Sequence, residues 1–117
     1  MNPLQLKQRT KTFALRIIKL SRSIPKSDDA GRIIAKQIIR SGTSVAANYR
    51  ASCRARSKAE FIAKMGTVEE EADESGLWLE LLAEAGIIPE SKLSALLQEA
   101  SDLTAIMAAS RKTAANG

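Results

Sequence analysis

The stretch Ser57–Gly86, SKAEFIAKMGTVEEEADESGLWLELLAEAG, decides the fold. Within it Phe61, Met65, Val68, Ala72, Ser75, Leu79 and Leu82 recur at alternating intervals of four and three. At about 100° per residue these positions share one side of an α-helix, whereas a strand would scatter them over both faces. Ser57 and Glu60 have the form of a capping box, in which Glu60 reaches back to the Ser57 backbone. Gly86 stands where a left-handed residue closes a helix. The segment reads as one helix over about 57–85 with a single apolar seam. Such a seam needs partners.

They lie on both sides. Leu6, Thr10, Phe13, Ile17, Leu20 and Ile24 share a face over about 4–23, and Pro25 ends that run. A second helix, about 27–53, opens at Ser27 as N-cap, with Asp28 and Asp29 in the first turn where the helix dipole favours acids. Its seam is Ile34, Ile38, Ser41, Val45, Asn48 and Ser52. A fourth, about 90–112, carries Leu93, Leu96, Ala100, Leu103, Met107 and Ser110, with a tail expected to fray from Thr113. Nothing alternates with period two. The expected fold is all-α: an up-down-up-down antiparallel four-helix bundle, one domain over 1–117.

The second seam is unusually small and polar around Ser41-Gly42-Thr43-Ser44. Glycine inside a helix costs about 1 kcal/mol relative to alanine, so Gly42 is expected to admit a closely packed neighbour. A ligand pocket is the sharper alternative. Asn48 is expected to fix register through a buried hydrogen bond.

Composition narrows the chemistry. The chain has no histidine, which removes the commonest general base and transition-metal ligand. The densest acids, Glu69-Glu70-Glu71-x-Asp73-Glu74, lack the Glu-x-x-His pairs of a di-metal bundle. They read as a solvated face, with Glu71 and Glu74 placed to meet Arg40 or Arg56. Cys53 lies near Arg50, Arg54 and Arg56, a setting that can lower a thiol pKa, but no base or oxyanion site accompanies it. No catalytic residue, metal or cofactor is expected, and turnover is a distant third reading. A lone cysteine fits a reducing cytoplasm, and neither a signal peptide nor a membrane-spanning run is present.

Charge carries the functional reading. Residues 1–58 hold 14 Lys/Arg against Asp28 and Asp29, and residues 59–117 hold four against 11 acids, so a net +12 faces a net −7. Lys7, Arg9, Lys11 and Arg16 on the first helix lie outside its apolar arc, as do Arg32, Lys36, Arg50 and Arg54 on the second. Arg56 and Lys58 extend the run. These ten are the expected phosphate contacts to RNA or DNA, independent of base sequence. Aromatics among them are nearly absent, which gives base stacking little support. The competing reading pairs these cations with Glu69, Glu70, Asp73, Glu80 and Glu84, within or between subunits. Off the seams, Leu4, Leu15 and Ile18, with Leu77, Trp78 and Leu81, cluster as an expected self-association surface, although isolated exposed leucines are ordinary.

Four motifs resemble one family: Arg9-Thr10-Lys11-x-Phe13-Ala14, Arg40-Ser41-Gly42-Thr43-Ser44-Val45-x-Ala47-Asn48-Tyr49, Ala55-Arg56-Ser57-Lys58-Ala59-Glu60-Phe61-Ile62-x-Lys64, and Glu70-Glu71-Ala72-Asp73-Glu74-Ser75-x-x-Trp78-Leu79-x-Leu81-Leu82. The chain resembles the bacterial four-helix-bundle proteins encoded in intervening sequences of large-subunit ribosomal RNA genes. That resemblance implies a barrel-like homopentamer with a basic surface. It also implies kinship to the accessory variability determinant of diversity-generating retroelements, which binds nucleic acid and a reverse transcriptase. Two departures stand out: Ala51 where relatives usually carry glutamate, and Gly76 where a bulkier residue is typical. The leading expectation is a non-enzymatic, homo-oligomeric nucleic-acid-binding accessory protein. The alternative is a protein-interaction scaffold, for example for a reverse transcriptase, whose charge asymmetry serves assembly.

Overall fold

The structure is a computed structural model that describes residues 1–117. Its elements in chain order are α1 (Pro3–Ser23), α2 (Asp29–Ser52), α3 (Lys58–Glu84), a 3₁₀ turn (Glu90–Lys92) and α4 (Ser94–Asn116). They form an elongated bundle of 48 × 20 × 20 Å. Each helix is antiparallel to its predecessor.

Local signals set the ends, not always those expected. Asn2 caps α1 in a reciprocal box: its Oδ1 accepts from the Gln5 amide at 2.8 Å, and Gln5 Oε1 accepts from the Asn2 amide at 3.0 Å. Asp28, not Ser27, caps α2, its Oδ1 accepting from the Gly31 amide at 2.7 Å. Ser57 caps α3 through the Glu60 amide at 3.0 Å, as read. The Glu60 carboxylate, however, accepts from the Arg56 amide at 3.1 Å, one residue earlier than a capping box requires. Gly86 closes α3 at φ +71°, with the Ile87 amide donating to the Leu82 carbonyl at 2.9 Å, a Schellman arrangement. The 3₁₀ turn delays α4 to Ser94, and its last turns stay helical to Asn116 where fraying was expected.

The core contains Phe13, Ile17, Ile38, Val45, Val68, Leu79, Leu103 and Met107, all without exposed surface. Its α2 seam departs from the sequence reading at one place. Tyr49 is buried at 4% exposure, and the neighbouring Asn48 is only half-buried. The Asn48 amide donates to the Ser44 carbonyl and hydroxyl within its own helix, so it ties no two helices together. The polar tie is instead Ser41–Ser75, Oγ to Oγ at 2.8 Å, with both residues fully buried between α2 and α3. Gly42 behaves as expected: a Cβ there would lie 2.9 Å from two carbons of Ile17, so glycine is what lets α1 approach α2.

The four seams are unequal. α3 packs extensively against both α2 and α4, and α1 against α2, whereas α1 and α4 touch sparsely. That thin side is clipped by Arg9, whose Nε and Nη2 donate to the two Glu99 oxygens at 2.8 and 2.7 Å.

Candidate nucleic-acid interface

The outer groove between α1 and α2 gathers the basic residues. Lys7 and Lys11 stand one turn apart on α1, while Arg50 sits in the last turn of α2 and Arg54 in the turn just beyond it. With Leu4, Ala14, Thr43, Ala46 and Ala47 they line a trough of about 830 Å³ near the end of the bundle where α1 begins. Ala14, Ala46 and Ala47 supply its small side chains. All four cations are exposed, none forms an ion pair, and no acid lines the trough. Lys36 follows on the same stripe of α2, exposed and unpaired.

The remaining expected contacts divide. Arg16, Arg56 and Lys58 are exposed and unpaired but lie outside the trough. Arg9 and Arg32 are spoken for. Arg9 is held by Glu99, with Asp102 at 3.7 Å; the hydrogen bond to Glu99, partly offset by burial, raises the Arg9 pKa above its ordinary value. Arg32 donates to Asp29 at 2.5 Å and to the Lys26 carbonyl at 3.0 Å. Both need to leave these partners before they can reach a phosphate.

The acids of α3 do not neutralise the trough from within the chain. Glu69 pairs with Arg111 of α4 at 2.9 Å, and Glu71 and Glu74 both pair with Arg40. The Arg40 contacts are those the spacing allowed, and the Glu74 hydrogen bond is the main cause that raises the Arg40 pKa. Glu70, Asp73, Glu80 and Glu84 make no ion pair. Asp73 and Glu80 border a second outer groove, between α3 and α4, floored by Gly76, Ala100, Ala105 and Ala108.

The expected self-association residues lie on two helices, α1 and α3. Leu4 is 77% exposed and sits in the basic trough; Leu15 is exposed, and Ile18 half-buried, farther along α1. Leu77 opens onto the acidic groove, and Leu81 is exposed. Trp78 is not outward-facing. It packs against the core, with its Nε1–H buried and unpartnered. Two exposed isoleucines of α2, Ile33 and Ile39, were missed. Each adjoins a seam residue, Ile34 or Ile38, and a helical seam takes only one of two consecutive positions.

The family described as 23S rRNA-intervening sequence protein matches residues 2–109. The chain belongs to that family. A crystal structure of a protein of unknown function from the S23 ribosomal protein family of Bacteroides thetaiotaomicron shares the fold, with a TM-score of 0.84. Identity to it is 30%, over 92% of this chain and 98% of that one. No curated protein matches. No helix is long and apolar enough to cross a membrane.

Proposed function

We propose that this family member is a non-enzymatic accessory protein that holds RNA or DNA by its phosphates along the α1/α2 face, working as a homo-oligomer. One observation carries the reading: Lys7, Lys11, Arg50 and Arg54 converge on an acid-free trough without intramolecular partners. Four unpaired cations raise the free energy of the folded chain by mutual repulsion, and a polyanion relieves it. The family's description refers to an intervening sequence of 23S rRNA, so structured RNA is the first probe. Filter binding to structured RNA and duplex DNA across a salt series tests this. Four neutralised duplex phosphates give a log–log slope of about −3.6. Salt-independent binding, or none, overturns it.

A second reading has its own support. The α3/α4 groove combines small side chains with the unpaired Asp73 and Glu80, and so complements the Leu4-bearing basic trough in charge and relief. Head-to-tail packing of these two faces would make the charge asymmetry an assembly device, as in a scaffold for a protein partner. Charge reversal at Arg50 and Arg54 separates the two. Loss of nucleic acid with the oligomer intact supports the first reading, and dissociation supports the second.

A further inference from the structure

The basic trough is not basic alone. On α1, Leu4, Lys7, Lys11, Leu15, Ile18 and Arg22 fall within one angular stripe at about 100° per residue, running about 27 Å along the helix. Ile39 follows Thr43 by one turn on the facing stripe of α2. Gly42 against Ile17 sets the register, so Ile18 lies within a turn of Ile39 along the groove. Cations and aliphatic side chains are therefore interspersed along this face, Leu4 within the trough and Leu15, Ile39 and the half-buried Ile18 beyond it, where a surface built for phosphates alone would carry polar residues between its lysines.

We infer that this groove takes a single unpaired polynucleotide strand, a conclusion that rests on the polyanion reading above and narrows it. Helices packed as α1 and α2 are lie about 8–10 Å apart, a width that suits one sugar-phosphate backbone lying between two cationic crests. Lys7 to Lys11 steps about 6 Å along the α1 axis, close to the step between phosphates of an extended strand. A single strand also offers unstacked bases, whose faces cover Leu4, Leu15 and Ile18. A duplex hides its bases and would press those same side chains against charged phosphates, a desolvation loss without return. No aromatic side chain is exposed here, so the base contacts are aliphatic, and base preference is weak.

The test is anisotropy with labelled oligothymidylate of about 20 nucleotides, the matching duplex and inorganic polyphosphate, with the L4Q/L15Q double variant beside the unaltered chain. Both leucines are exposed, so the fold is retained, and circular dichroism checks it. The expected result is single-strand binding at least about tenfold tighter than duplex, with a salt slope of about −2.8 for four phosphates. L4Q/L15Q loses about tenfold toward oligothymidylate and nothing toward polyphosphate. Duplex binding as tight as single-strand binding overturns the inference, as does an equal loss toward polyphosphate. If K7E/R50E then abolishes both nucleic acids, the polyanion reading stands alone. If the unaltered chain binds no polyanion, both fall. Vesicles of phosphatidylglycerol bound through the same leucines, with oligothymidylate held no better than polyphosphate, assign the face to lipid and overturn the inference.

Discussion

The outer grooves of the two helix pairs resemble each other in relief and oppose each other in chemistry. Both are floored by small residues, Ala14, Ala46 and Ala47 in one, Gly76, Ala105 and Ala108 in the other. The α1/α2 groove is bordered by unpaired Lys and Arg, the α3/α4 groove by Asp73 and Glu80. Beneath them the packing also differs. Gly42 is a contact point with no room for a methyl group, whereas a Cβ at Gly76 would lie an ordinary 3.8 Å from the Ala100 Cβ. Similar surface shape thus accompanies a glycine with no spare room on one side and one with spare room on the other. Charge is set independently of both, because the crest residues do not enter the core.

The contrast can be broken at several points. The quadruple variant K7E/K11E/R50E/R54E is expected to lose nucleic-acid binding about a hundredfold or more at moderate salt, with its thermal midpoint nearly unchanged, whereas D73K/E80K keeps or tightens binding. Anisotropy and a melting curve on the same samples check this. G42A comes next, costing about 1–3 kcal/mol through overpacking against Ile17, measurable as a lower urea midpoint. R9M is expected to cost about 1 kcal/mol by unclipping α1 from Glu99, with no loss of nucleic-acid affinity, because Arg9 lies outside the trough. The smallest effect has the opposite sign. G76A should raise stability by about 0.5–1 kcal/mol, since alanine favours the helix and Ala100 leaves it space. Equal responses at Gly42 and Gly76 would erase the difference between the two interfaces.

Much of the architecture was legible in the sequence because period and punctuation are local. The Met65-to-Leu82 seam, Ser57 as cap and Gly86 as terminator need only neighbours within one helix, and Gly42 as a close approach shows through the helix penalty that a neighbour has to offset. Asn48 misled because a seam drawn at strict intervals of four and three passes one residue from Tyr49, and burial favoured the larger apolar ring. Arg9 misled for a different reason. Its partner Glu99 lies on the far helix, and no local charge count contains that pairing. Arg32 was closer to legible, with Asp29 one turn away. That Lys7, Lys11, Arg50 and Arg54 converge follows from the α1/α2 register, which the Gly42–Ile17 contact sets and the sequence leaves open.

The sparse side between α1 and α4 implies an order of breathing. Native-state hydrogen exchange reads such an order directly, since amides released by partial opening exchange ahead of those that wait for global unfolding. Separating α1 from α4 sacrifices little apolar contact, so the amides of α1 around Arg9 should exchange early. Those flanking the fully buried Ser41–Ser75 hydroxyl pair, between the extensively packed α2 and α3, should exchange last.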